Sequence, residues 1–287
     1  MSRPRGGRRP AASARRARRR SRRNRGSDLG ARVLAAIPAI VFAIFIVIEG
    51  GLVFALGIGA LGIVCLAEFY GLVGRAHPVR LAGFVTIIAL VLAAEYGSQF
   101  QVLLVAVAAV PFLFGLVLLG PRRRGATAAM AATVLGIYWI GLAITHAVLL
   151  RKLPHGDAII VDVLVGTFIG DTGAYVGGRM FGRRPLAPEI SPNKTVEGLL
   201  IGMVAAIAAV WFAGLYQDWF SGTDALILGL GVALAAPLGD LFESLIKRDM
   251  GAKDTGRLFG PHGGALDRLD AALFTIPVGY YIWVALM

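Results

Sequence analysis

The chain has 287 residues, of which 57% are hydrophobic and 16% charged, and its mean hydropathy is +0.72. Soluble domains are about 45–50% apolar and about 25% charged, so this composition excludes a soluble domain and predicts an all-α, polytopic membrane protein. The formal net charge of +12 is carried by residues 1–26, which hold twelve Arg and no acidic residue. The single cysteine, Cys65, excludes an intrachain disulfide and a zinc site built from cysteines.

Residues 1–30 form an Arg-rich segment that we predict to be a disordered cytoplasmic tail. Two interpretations of its charge are open: an arm that binds nucleic acid, or an anchor that rests on anionic lipid. The tail directly precedes an apolar run, and it has no aromatic residue on which single-stranded bases would stack. We therefore favour the lipid anchor and expect no nucleic-acid partner.

Apolar runs long enough to cross a bilayer follow one another from residue 31 onward. A transmembrane helix needs about 17–25 such residues, and the runs give nine predicted spans. They are expected at residues 31–48, 52–73, 80–97, 100–119, 127–150, 157–178, 196–216, 224–246 and 267–286. Only Glu49, Gly50 and Gly51 separate the first two runs, so a re-entrant hairpin is the alternative there.

Basic residues between the spans predict the orientation of the chain. With the tail in the cytoplasm, the inside loops hold the bases, and only Arg151 and Lys152 fall in an outside loop. This bias predicts a cytoplasmic N-terminus and an external C-terminus. The inside loops are residues 75–80, 121–125, 179–194 and 247–268.

Polar residues are unevenly distributed among the spans. The first five spans hold almost no ionisable residue, and Glu68 and Glu95 lie near predicted ends, where snorkelling to the headgroups explains them. From residue 157 onward, acids enter the spans, where each is costly unless it is paired or used. We therefore predict a scaffold of residues 31–150 and a catalytic part of residues 151–287.

Two acids are predicted to lie at one depth in the membrane. Asp171 of the sixth span and Asp240 of the eighth are each about 20 Å from the outside end of their span, at about 1.5 Å per residue. Tyr175 shares a helix face with Asp171, and Arg179 follows toward the inner end. One alternative is a pair of acids neutralised by bases between helices. We favour a binding site, because this depth opens onto the most polar inside loops.

The eighth span ends in a stripe of polar side chains. Asp240, Glu243, Ser244 and Lys247 fall at i, i+3, i+4 and i+7, on one face of an α-helix. Their oxygens suit Mg²⁺, while Lys247 and Arg248 would reach phosphate at the cytoplasmic mouth. The two bases alone would be ordinary snorkelling residues, so the prediction of a site depends on the acids one turn above them.

A glycine-rich loop follows the eighth span. Gly260, Gly263 and Gly264, with Pro261, form a small-residue turn whose N–H groups can approach a phosphate. Ionisable residues flank this turn and strengthen the prediction of a phosphate site. They are Lys253, Asp254, His262, Asp267, Arg268 and Asp270.

The segment ISPNKTVEG, residues 190–198, precedes the seventh span. Thr195 and Glu197 are typical of a helix start, so capping alone is one interpretation. Ser191, Lys194 and Thr195 would also suit contacts to a phosphate or a nucleotide base. We therefore include this segment in the candidate site.

The stretch Ser244–Asp270 resembles the signature of the phosphatidate cytidylyltransferases, departing only at Ala265, where a larger aliphatic residue is usual. Upstream, DTGAYVGGR and SPNKTVEG resemble two further segments of that family, with Asn193 replacing a usual Lys and Val196 a usual Trp. The residues that match the signature are Ser244, Lys247, Arg248, Lys253, Asp254, Gly256, Phe259, Gly260, His262, Gly263, Gly264, Asp267, Arg268, Leu269 and Asp270.

The resemblance implies a membrane nucleotidyltransferase of phospholipid biosynthesis, a homodimer that makes CDP-diacylglycerol and pyrophosphate from CTP and phosphatidate. It implies one or two bound cations, of which Mg²⁺ is one. Asp240 and Asp267 are the first candidate metal ligands, and Asp171 and Asp270 are the second choices. The implied catalytic residues are Asp240, Lys247, Arg248, Lys253, Asp254, Asp267 and Arg268, of which the basic ones bind phosphates. The candidate substrate-binding residues are Asp171, Tyr175, Arg179, Ser191, Lys194, Thr195, Glu197, Ser244, His262, Gly263 and Gly264.

Other functions account for part of this pattern. A transporter would also place acids within the membrane, but it predicts inverted repeats, and the sequence shows none. Another CTP-using lipid enzyme, such as a polyprenol kinase or an ether-lipid cytidylyltransferase, stays open. A CDP-alcohol phosphotransferase requires a D-G-x2-A-R-x8-G-x3-D-x3-D pattern, which is absent.

Removal of the Arg-rich tail tests whether it contributes to the site. A chain that begins at Gly26 is expected to insert correctly and to keep most of its cytidylyltransferase rate in detergent, because the tail holds no part of the motifs. The measurement is the rate of correctly inserted, purified protein. A loss of more than about tenfold, or about 1.4 kcal/mol of barrier, would show that the tail takes part in the reaction.

Overall fold

The computed structural model describes residues 41–120, 124–256 and 263–287. This part of the chain is mainly helical, which confirms the predicted all-α membrane class. Within it, six helices are long and apolar enough to cross a membrane. The predicted tail, the start of the first span and His262 lie outside the described residues.

Helices occupy the predicted spans from the second onward. We name them α1 (Gly51–Leu72), α2 (Arg80–Tyr96), α3 (Gln99–Leu119), α4 (Ala126–Arg151), α5 (Gly156–Phe181), α6 (Val196–Gly214), α7 (Gly222–Asp249), α8 (Leu266–Leu269) and α9 (Ala272–Leu286). Between α5 and α6, strands β1 (Pro185–Ala187) and β2 (Ser191–Thr195) pair antiparallel. This hairpin is the one β element of the described ranges.

The first two predicted spans are separate helical segments. Residues 41–49 are helical, and α1 begins at Gly51. Gly50 and Gly51 have φ angles of 67° and 48°, in the left-handed region that glycine adopts without steric cost. Among the described residues, 41–48 belong to a different unit from those that follow.

The last predicted span is interrupted, which corrects its expected start at residue 267. The short helix α8 ends at Leu269, and α9 begins at Ala272. Between them, the Asp270 carboxylate accepts a hydrogen bond from the N–H of Ala271 at 2.9 Å. Aspartate side chains that bond to nearby backbone in this way compete with the helical pattern.

Lys152, one of two bases predicted on the outer side against the general bias, closes the end of a helix. Its Nζ donates to the carbonyl oxygens of Ala94, Glu95 and Gly97 at 2.8, 2.7 and 3.0 Å. The last carbonyls of a helix lack intrahelical partners, and a cation there also opposes the helix dipole. A structural requirement of α2 thus accounts for the position of Lys152.

Helices α5 and α6 approach closely along faces of small residues. A Cβ built at Gly202 of α6 would lie 2.7 Å from both the Ala174 Cβ and the Gly170 oxygen of α5. A Cβ at Gly177 of α5 would likewise lie 2.7 Å from the Ile201 Cβ of α6. Small residues allow such contact between membrane helices, where van der Waals packing contributes much of the association energy.

Substitution of Gly202 tests this packing. We expect Gly202→Val to lower the free energy of unfolding by about 1–3 kcal/mol, because an added side chain in a close-packed interface forces the helices apart. The matched control is Gly115→Val in α3, where no atom lies within 4 Å of the added Cβ. The measurement is the thermal unfolding midpoint in detergent at one scan rate. Equal midpoints for the two variants would contradict the close contact.

Candidate active site

A cavity of about 730 Å³ lies among α5, α6, α7 and the turn that precedes α9. Part of its lining is apolar and includes Leu199, Met203, Ala206, Ala233 and Pro237. The rest is polar. The polar lining residues are Asp171, Tyr175, Arg179, Asn193, Lys194, Thr195, Asp240, Lys247, Asp267 and Asp270. A cavity with both kinds of lining can hold a molecule with a charged head and an apolar body.

Four carboxylates line this cavity, and besides Asp267 they come from three parts of the chain. Asp171 comes from α5, Asp240 from α7 and Asp270 from the turn between α8 and α9. Carboxylates that share one cavity repel one another, so the cavity is a favourable environment for a cation.

Lys194 partly neutralises these acids. Its Nζ lies 2.5 Å from Asp240 Oδ2, and both side chains are about one-third exposed or less. The hairpin positions Lys194, because β2 ends at Thr195, whose hydroxyl accepts a hydrogen bond from the N–H of Gly198 at 3.1 Å and caps α6. The expected helix start at Thr195 is therefore confirmed. The Lys194–Asp240 pair also fits the alternative interpretation of these acids, in which bases from other elements neutralise them.

A second ion cluster joins α7 to the loop that follows it. Lys247 Nζ lies 2.5 Å from Glu243 Oε2 and donates to Asp267 Oδ1 at 3.0 Å. The N–H groups of Gly264 and Thr255 donate to Asp267 Oδ2 at 2.7 and 2.9 Å. Burial opposes ionisation of Asp267, but these hydrogen bonds together hold its pKa below the usual range.

Other predicted residues do not line the cavity but form hydrogen bonds to the elements around it. Ser244 Oγ donates to Asp240 Oδ1 at 3.4 Å, and Arg248 Nε donates to the Ile190 carbonyl of the hairpin at 3.2 Å. Glu197 Oε2 accepts hydrogen bonds from the N–H groups of Arg183 and Arg184 at 2.9 and 3.1 Å. These bonds fix the hairpin against the ends of α5 and α7.

The remaining predicted residues lie away from the cavity wall. Lys253, Asp254 and Arg268 are exposed, and Gly263 has a φ of 83° that only glycine adopts easily. Ser191 begins β2, where it pairs with Ala187. Their proposed roles stay predictions, as does that of His262 outside the described ranges.

Comparison with known proteins identifies the family. Residues 30–286 match the Cytidylyltransferase family. The chain belongs to this family. It is 33% identical over 265 residues to the phosphatidate cytidylyltransferase of Bacillus subtilis (strain 168), covering 89% of this chain and 97% of that protein. The enzyme of the same name from Staphylococcus aureus (strain COL) is 31% identical over 86% of this chain and 96% of its own length.

A further relative matches only part of the chain. It is the uncharacterized protein YnbB of Escherichia coli (strain K12), which is 38% identical over 158 residues. That match covers 52% of this chain and 53% of YnbB.

In this cytidylyltransferase, Glu68 is a site-associated residue that sequence reasoning missed. Its Oε2 accepts a hydrogen bond from the N–H of Leu266 at 2.9 Å, next to Asp267. The interpretation of Glu68 as a snorkelling residue is therefore wrong. Its one sequence signal was an acid inside an apolar span, and no pattern linked that acid to a loop 198 positions away.

The carboxylates suit a cation only in combination with other oxygens. Within residues 41–120, 124–256 and 263–287, no group of three or more His, Cys, Asp or Glu side chains is placed to hold one metal ion. Magnesium in nucleotide-using enzymes is usually held by one or two carboxylates together with substrate phosphates. The carboxylates of the cavity fit this arrangement, in which substrate phosphates supply the other oxygen ligands.

Asp267 provides a direct test of the ion cluster. We expect Asp267→Asn to lower cytidylyltransferase activity at least 100-fold while the protein stays folded, because the amide keeps the shape but loses the charge that pairs with Lys247. The control is Asp249→Asn at the exposed end of α7, which should stay within twofold of wild type. The measurements are the initial rate and the elution profile in detergent. Wild-type activity of Asp267→Asn would contradict its assignment to the site.

Proposed function

We propose that this protein transfers the cytidylyl group of CTP to phosphatidate and releases pyrophosphate. The observation that carries the proposal is the cavity, whose lining combines carboxylates and cations with apolar residues, among helices long enough to span a membrane. A lipid phosphate and a nucleotide triphosphate need both kinds of surface. The names of the full-length relatives support the same reaction.

The residues of the cavity suit this chemistry without a dedicated base. A phosphate oxygen of phosphatidate is already anionic, so it attacks the α-phosphorus of CTP directly, and the bond from that phosphorus to pyrophosphate breaks. Lys194 and Lys247 lie on the cavity wall, where they would bind phosphate oxygens. We propose the same function for Arg248, Lys253 and Arg268, which do not line the cavity in this structure.

We propose Mg²⁺ as the cofactor, with one or two cations bound. Asp240 and Asp267 are the first candidate ligands, and Asp171 and Asp270 are the second; all four line the cavity. The bound metal would neutralise triphosphate charge and favour departure of pyrophosphate. Asp267 already accepts hydrogen bonds at both oxygens, so metal binding there requires exchange of at least one of them.

We further propose nine spans, with a cytoplasmic N-terminus and site, in a bacterial-type cell membrane, and a homodimer. The cavity includes Arg179 at the end of α5 and Lys247 near the end of α7, on the side where the basic loops lie. The positive-inside bias supports placing that side in the cytoplasm. CTP would reach the cavity from there, and the lipid from the bilayer.

The deciding experiment is a CTP incorporation assay on purified protein. Labelled CTP is supplied with phosphatidate, an ether-linked analogue or a polyprenol, in Mg²⁺ or in excess chelator. We expect label in a lipid product with phosphatidate and Mg²⁺, release of pyrophosphate in equal amount, and loss of the reaction in chelator. That label is in the cytidylyl group; in a parallel assay with CTP labelled at the γ-phosphate, label in polyprenol without pyrophosphate release would identify a kinase instead.

A further inference from the structure

Glu68 connects the N-terminal helices to the loop that carries Asp267. It lies in α1, in the part of the chain predicted to be only a scaffold, and its carboxylate is half-buried. Its Oε2 accepts from the Leu266 N–H at 2.9 Å, a contact between residues 198 positions apart. Because this contact joins α1 to the loop, it can fix the position of the loop.

Two glycines of the loop leave the space that the Glu68 carboxylate occupies. A Cβ built at Gly256 or Gly264 would collide with this carboxylate, and the three nearest atoms in each case belong to Glu68. Both glycines have ordinary backbone angles, so an alanine there is opposed by Glu68 rather than by its own conformation. The Glu68 carboxylate therefore lies between two described segments of the loop, residues 255–256 and 264–266.

The same two segments hold Asp267 from their other side. The N–H groups of Thr255 and Gly264 donate to the Asp267 carboxylate, and Leu266 is the residue directly before it. Lys247 then donates to Asp267 and pairs with buried Glu243. Displacement of Glu68 would consequently move the groups that orient Asp267 and Lys247.

We propose that Glu68 is a positioning residue for cytidylyl transfer, which sets the place of Asp267 and Lys247 through the loop. This inference rests on the proposed function. Glu68 is absent from the cavity wall, so its effect falls on the arrangement of the reacting groups rather than on contact with substrate. Misplacement of such groups by about 1 Å can lower a rate about 100-fold.

The first test compares two substitutions of Glu68 with a matched control. Glu68→Ala removes the acceptor of the Leu266 N–H, and we expect kcat to fall at least tenfold while KM for CTP changes less than threefold. Glu68→Gln keeps an acceptor oxygen and should recover kcat to within about threefold of wild type. The control is Glu95→Ala, another half-buried glutamate in the last turn of an N-terminal helix, which should keep wild-type kcat.

The second test uses the glycine that faces Glu68. Gly256→Ala should displace the carboxylate and lower kcat about as much as Glu68→Ala does. The double variant Glu68→Ala with Gly256→Ala should then be no slower than Glu68→Ala alone, since the methyl group enters vacated space. Multiplied losses in the double variant would overturn the proposal, because independent sites combine in that way.

Amide hydrogen exchange separates this inference from the proposed reaction. In Glu68→Ala, but not in Glu95→Ala, peptides covering residues 263–270 should exchange faster while α7 peptides keep their protection. This readout does not depend on the substrate, so it holds even if wild-type protein fails to use phosphatidate, which would refute only the proposed function. Unchanged exchange, or equal kcat for Glu68→Ala and wild type, would overturn the positioning function.

Discussion

The polar part of this protein depends on the two ion pairs of the Lys247 ammonium group. This group pairs with Glu243, whose side chain is 1% exposed, and with Asp267 in the loop beyond α7. A buried carboxylate without a partner carries a large desolvation cost, so Glu243 holds Lys247 in place. Lys247 in turn holds Asp267. The end of α7 and the start of α8 are thereby fixed to each other within an otherwise apolar bundle.

The second half of the site is built by close helix contact. Helices α5 and α6 touch along glycine and alanine, and the short hairpin that connects them bonds to the end of α7. Arg248 bonds to the hairpin at Ile190, and Lys194 reaches Asp240. Small residues in two helices thus determine where a lysine from a third element meets its aspartate.

Much of the site could be predicted from the sequence, because helical periodicity converts directly into depth and face. Asp171 and Asp240 were expected at one depth, and both line the cavity. The cap at Thr195 also follows from local chemistry. The contacts of Glu68 and Lys152 could not be predicted, since each side chain bonds to backbone groups far away in the chain and no periodic pattern encodes such a partner. The break at Asp270 was missed because apolar composition continues on its C-terminal side.

That break has a consequence for the depth of the polar chemistry. Helix α9 has 15 residues, which span about 22 Å at about 1.5 Å per residue, whereas the hydrocarbon core of a bilayer is about 30 Å thick. If the outer end of α9 lies at the outer interface, its inner end and the adjoining Asp270 lie within the hydrocarbon core and do not reach the inner headgroups. The bilayer is then thinned locally, or water enters this region. For the proposed reaction, the nucleotide would descend to the lipid, and the lipid would keep its acyl chains in the membrane throughout.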